Sequence, residues 1–144
     1  MTGIAFSRRS IVALAGTLLA GSIAGPALAG LGLAFHADST NGLYVIVASP
    51  ADTPAPALGP IHAWILEVKN ASGEPVTGAT IAVDGGMAAH GHGLPTAPQV
   101  VAENPPGTYR IDGVKFSMMG EWQMRFTIDS PAGKDTAEIS FNVK

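Results

Sequence analysis

Cysteine is absent from the 144 residues, and charged side chains make up only 13% of them. Without thiols there is no disulfide framework, no thiolate nucleophile and no Cys-based zinc or iron–sulfur site. The softest ligands left to the chain are methionine thioethers. So low a charge content, beside 18 Gly and 11 Pro, suits short strands joined by turns better than long solvated helices. The length allows one domain with a short appendage.

Residues 1–29 read as a targeting segment. Arg8 and Arg9 form a positive start, Ile11 to Gly25 is uncharged and apolar, and Ala27-Leu28-Ala29 has the small-x-small pattern of a signal-peptidase site. Cleavage is expected after Ala29, and Ser7-Arg8-Arg9-Ser10-Ile11-Val12 approximates a twin-arginine signal. The rival reading is an uncleaved anchor, because no charge interrupts Ser10 to Ala37 and about 20 apolar residues span a bilayer. Either way the remainder is expected in the periplasm, free or held at the cytoplasmic membrane. Loss of residues 1–29 removes two arginines and no acid, taking the net charge from −3 to −5. Nucleic acid and anionic membrane surfaces are therefore not expected as partners, and a membrane is expected only if the N-terminal segment is retained.

Residues 30–41 are expected to be a flexible lead, and 42–144 a single sandwich domain. Leu43–Ala48 is β-branched and aromatic, hence a strand. The proline-rich stretch Ser49–Pro60 is a surface loop. In Ile61–Lys69 the set His62, Trp64, Leu66 and Val68 is assigned to the core by its tryptophan. Ala79–Asp84 and Gln99–Glu103 are short strands. Thr108–Met118 is a longer one, in which Gly113 marks a bulge that shifts the inward register from Tyr109 and Ile111 to Val114, Phe116 and Met118. Strict alternation places Trp122, Met124, Phe126 and Ile128 inside in Glu121–Asp129, and Ala137, Ile139, Phe141 and Val143 inside in Asp135–Val143. Seven such strands predict an all-β, immunoglobulin-like antiparallel sandwich, and the Gly107-Thr108-Tyr109 entry resembles a tyrosine corner.

One loop carries candidate chemistry. Met87-Ala88-Ala89-His90-Gly91-His92-Gly93 sets two imidazoles two residues apart in a segment whose glycines let the chain bend. Imidazole suits Cu(II), Zn and Ni, and thioether sulfur suits Cu(I). Met118 and Met119 precede Gly120 in another turn, and if the two loops meet at one end of the sandwich, His90 and His92 with one or more of Met87, Met118 and Met119 make a copper site. The plainer alternative has both rings hydrogen-bonded to backbone carbonyls, pinning a loop stiffened by Pro95 and Pro98. Met118 on the inward register reads as core filler, His62 as a structural histidine, and His36 as part of the lead. Asp84, His90 and Ser117 assemble a triad only on paper, and no nucleophile-elbow, phosphate-loop or zinc-protease pattern is present. No enzymatic activity is expected.

The run Ala79–Met87, then His90-Gly91-His92-Gly93-Leu94-Pro95-Thr96 with Pro98, Gly107-x-Tyr109, and Phe116-x-Met118-x-Gly120-x-Trp122 resembles the YtkA-like and FixH-like family of exported or membrane-anchored bacterial domains. The likeness extends upstream through His62-x-Trp64 and Gly73-x-Pro75-Val76. It implies a small immunoglobulin-like sandwich outside the cytoplasmic membrane and, from FixH-like members, copper delivery to respiratory oxidases. Ser117 departs from the larger polar residue expected there, which weakens any third nitrogen ligand. The reading at this point is a periplasmic, non-enzymatic module that sequesters copper or passes it to a copper-accepting or respiratory-assembly protein. Its alternative is a protein-interaction or assembly domain with a purely structural His-Gly-His-Gly-Leu-Pro-Thr loop.

Overall fold

Alternation of apolar and polar residues, the strongest signal in the sequence, becomes two antiparallel sheets packed face to face. The structure, a computed structural model, describes residues 32–144, so the signal segment expected over 1–29 lies outside the described residues. Nine strands follow in order: β1 (Phe35–Asp38), β2 (Tyr44–Pro50), β3 (Ile61–Asn70), β4 (Thr80–Met87), β5 (His92–Gly93), β6 (Gln99–Glu103), β7 (Thr108–Lys115), β8 (Gly120–Ser130) and β9 (Gly133–Val143). One sheet has the order β1-β2-β3-β7-β6 and the other β5-β4-β8-β9. The fold is an all-β sandwich, with nine strands where the sequence suggested seven.

The two additional strands are short. β1 lies in what reads as a flexible lead, and it is ordered because Phe35 docks on the rings of Trp64 and Phe141, with centroids 5.9 and 5.1 Å away, while its backbone pairs with β2. β5 pairs only with Gly86 and Met87 of β4, so the outer edge of β4 over Thr80–Asp84 has no ladder partner among the described residues.

The core lies where the alternation put it. Trp122, Met124, Phe126 and Ile128 of β8 and Ala137, Ile139, Phe141 and Val143 of β9 are buried, opposite Trp64, Leu66 and Val68 of β3. Trp64 meets Phe141 at 5.4 Å and Phe116 edge-on at 6.2 Å, joining the sheets through aromatic contacts. Each such side chain contributes about 1.5–3 kcal/mol by leaving water. The bulge at Gly113 is present: His62 and Trp64 face Val114 and Ile111, so β7 carries the extra residue, and Gly113 takes a φ of 90°. The inward register it sets ends sooner than the sequence suggests. The ladder stops at Lys115, Phe116 still turns inward, and Met118 is exposed in the bend that follows rather than filling the core. His62 is structural, buried with its Nε2 donating to the Ala57 carbonyl at 2.7 Å.

Three polar side chains fix the connections. Tyr109, buried on β7, holds the loop between β3 and β4 through its hydroxyl. Glu103 braces the same loop by accepting from the N–H groups of Gly107 and Gly78, both at 2.9 Å, and these two bonds hold its carboxyl below the usual range. At that end of the sandwich Asp135 accepts from the N–H of Asn41 at 2.9 Å, the Asn41 side chain at 2.9 Å and the N–H of Thr136 at 2.8 Å. Burial alone pushes the Asp135 carboxyl up, but the Ser39 hydroxyl and the N–H groups of Thr136, Asn41 and Leu43 outweigh it and bring it to about 2. A carboxylate surrounded by donors is favoured in its charged form.

Candidate functional site

The His-Gly-His loop forms where β4 runs closer to its neighbours than side chains permit. A Cβ on Gly85 would lie 2.2 Å from the carbonyl oxygen of Gln123, and one on Gly86 would lie 2.1 Å from that of His92. Glycine at both positions lets β8 and β5 press onto β4 from either side. Beyond Met87 the chain makes a single 3₁₀ turn, Ala88–His90, and Gly91 at φ 64°, ψ 22° reverses it in the left-handed region that favours glycine. His92 then pairs back across Met87, and the N–H of Leu94 closes the loop on the Gly85 carbonyl at 3.0 Å.

This path brings the two histidines together. The rings of His90 and His92 stack with centroids 6.3 Å apart and planes 20° from parallel, and both residues are exposed. Two imidazoles sharing one ion, each at about 2.0–2.1 Å, have nitrogens no more than about 4 Å apart. Sharing an ion would therefore require the two exposed side chains to turn toward each other. Neither ring hydrogen-bonds a backbone carbonyl among the described residues, in contrast to His62.

The methionines divide. Met87 is the last inward residue of β4, buried, with its Cε against Gly120, where an added Cβ would lie 2.9 Å away. It supports the loop from below. Met118 and Met119 are exposed in the bend between β7 and β8, and the Met118 carbonyl accepts from the Trp122 indole N–H at 2.9 Å. Because β8 starts beside the end of β4, this bend and the His-Gly-His loop stand at the same pole of the sandwich. Among the described residues no three His, Asp or Glu side chains converge as a metal cluster. The donors this pole offers are thus two imidazoles and two exposed thioethers.

A feature the loop motif did not reveal lies beside it. On the outer face of the β4–β8–β9 sheet, Arg125 bonds Glu138 at 2.8 Å next to a shallow hollow of about 280 Å³ bordered by His92, Asp84 and Gln123. The signal was available in the outward-facing set of β8, where Arg125 sits opposite Asp84 and Glu138 on either side.

The residues that carry the family likeness fall into two groups, with Gly107 and Tyr109 at the pole away from the loop. Gly85, Gly86, His90, His92, Leu94, Met118, Gly120 and Trp122 build one end of the molecule. A family model described as YtkA-like matches residues 39–127, from the Ser39 turn to the middle of β8. The chain belongs to the YtkA-like family. This YtkA-like domain is also similar to a solved structure, the ZirS C-terminal domain, at 16% identity and a TM-score of 0.43, over 100% of this chain and 86% of that one. No match was found among curated proteins.

Proposed function

We propose that this YtkA-like domain is a non-enzymatic metal-binding module that holds copper at the His90–His92 loop and passes it to a copper-accepting or respiratory-assembly protein outside the cytoplasm. The observation that carries the reading is the pair of exposed imidazoles stacked 6.3 Å apart at the tip of a loop that glycines shape. Imidazole nitrogens suit Cu(II), and the exposed thioethers of Met119 and Met118 at the same pole suit Cu(I). Two nitrogens and sulfur form a softer and more open set than the closed four-ligand sites of structural zinc. Met87 is assigned to the core that supports the loop, and the soft ligand to the surface pair. The resemblance to FixH-like proteins points to the same metal.

Titration of the purified chain with Cu(II), and with Cu(I) under reducing conditions, tests the proposal. Binding of one ion in both states, abolished in His90→Ala/His92→Ala with the metal-free melting temperature unchanged, is the expected result. A parent chain that takes up no copper, or a double variant that binds as well as the parent, refutes it. A double variant that unfolds readily when the parent never bound copper assigns the histidines to loop architecture and favours the interaction-domain alternative.

A further inference from the structure

Seven large apolar side chains are exposed among the described residues, and five of them gather at the pole that carries the His-Gly-His loop: Leu33 at 55%, Leu58 at 40%, Ile61 at 65%, Met118 at 40% and Met119 at 67%. Topology brings them together. Leu58 bridges to Phe116, and the N–H of Gly59 bonds the Phe116 carbonyl at 2.9 Å. Ile61 opens β3 opposite Lys115, the last residue of β7, and Met118 and Met119 follow directly in the bend. Leu33 is tied to the same loop, its N–H on the Pro54 carbonyl at 2.8 Å. The opposite pole is turned by Asn70–Gly73, Asn104–Gly107 and Ser130–Gly133, and an ion pair between Lys134 and Asp129 stands beside the last of these.

The chain reaches the apolar pole from a particular direction. Residues 10–31 contain no charged side chain and follow Arg8 and Arg9, and only Gly32 separates them from Leu33. That uncharged stretch is as long as the roughly 20 apolar residues that span a bilayer. With no spacer between it and the sandwich, a bilayer that takes up residues 10–31 meets this pole and not the other. Exposed apolar clusters of this kind mark contact surfaces, and on the uncleaved reading of residues 1–29 the adjoining apolar stretch points to a bilayer as the contact.

We propose that the pole formed by Leu33, Leu58, Ile61, Met118 and Met119 docks on the surface of a phospholipid bilayer. The docking follows from the uncleaved reading of the N-terminal segment, does not rest on copper binding, and competes with Cu(I) for the Met118 and Met119 side chains. The lipid is electrically neutral at its surface, since the acidic excess of the chain opposes anionic headgroups. His90 and His92 are then held at the lipid–water boundary.

The absence of cysteine makes the test direct. Ser117→Cys at this pole and Ala132→Cys at the other, both exposed positions, each give a single site for a fluorophore on the uncleaved chain bound to phosphatidylcholine vesicles. The expected result is severalfold stronger quenching of the Ser117→Cys label than of the Ala132→Cys label by a nitroxide-headgroup lipid, with the reverse order for aqueous iodide. Adding Ile61→Asp and Met119→Asp, both at exposed sites, returns the first label to iodide while the chain stays on the vesicles. Equal iodide access at the two poles, or a chain that stays off the vesicles, overturns the proposal. So does a Ser117→Cys label shielded from both quenchers, which would mean that a protein surface covers the pole. The readout uses no metal, so it is decided separately from the copper titration.

Discussion

The hydroxyl of Tyr109 donates to the carbonyl oxygen of Val76 across 2.6 Å while accepting from the N–H of Ala79 at 3.0 Å. One buried side chain of the five-stranded sheet thereby fixes the segment that leads into β4 and so into the His-Gly-His loop. Tyr109→Phe keeps the ring and strands both backbone partners. It is expected to cost about 1–3 kcal/mol, the range for leaving buried polar groups unmade, read as a lower urea midpoint with an unchanged slope.

Gly86→Ala is predicted to disturb the loop more than its single methyl suggests. The new Cβ would lie 2.1 Å from the His92 carbonyl oxygen, a backbone atom that moves only if β5 leaves β4. Overpacking of this kind costs about 1–3 kcal/mol. Amide hydrogen exchange should show faster exchange at His92–Leu94 with little change in β8 and β9. A variant whose exchange matches the parent throughout would show that β5 accommodates the methyl.

Phe126→Ala tests the core assignment. Phe126 is fully buried on β8, and truncation of a large aromatic in a packed core costs about 3–5 kcal/mol. A loss below about 1 kcal/mol by denaturant unfolding would contradict the packing described.

Acid should loosen the clasp around Asp135. Its carboxyl stands at about 2 in the folded chain against an ordinary 3.8, so the folded state binds the proton more weakly than the unfolded one. The stabilisation is fully present above the ordinary value and is lost as pH falls from about 4 toward about 2. Urea midpoints measured across that interval should decline. Asp135→Asn should be less stable at neutral pH and show a shallower decline, with the remainder reflecting Glu103, which is shifted in the same direction.

The strands most legible in the sequence were those with one wet and one dry face. β8 and β9 follow a period of two without interruption, and even the bulge at Gly113 announced itself by a glycine within an apolar strand. β1 and β5 gave no such sign, because four and two residues are too few for a period to show. The inward register does not carry past Phe116, the last side chain to turn in before the chain bends, so Met118 lies outside it. The burial of Met87 was legible in principle, since Ile81, Val83, Gly85 and Met87 share one face of β4. What no local pattern contains is the approach of the two loops, which depends on the pairing of β4 with β8 across about forty residues. The histidine pair was visible as a motif, whereas its place beside Met118 and Met119 belongs to the tertiary structure.

The tie between the turn at residues 40–43 and the start of β9 joins segments more than ninety positions apart. A chain that emerges in sequence order, from a ribosome or from a translocation pore, lacks both the carboxylate that closes this turn and the strand that completes the second sheet until residues 133–144 are free. Contacts so distant form slowly because loop closure must precede them. Until then the earlier segments wait incompletely paired, the open edge of β4 among them, and are exposed to association with other chains. The C-terminal strand is thus a latch: assembly finishes in one late event, and a chain shortened before Asp135 would have no means of closing.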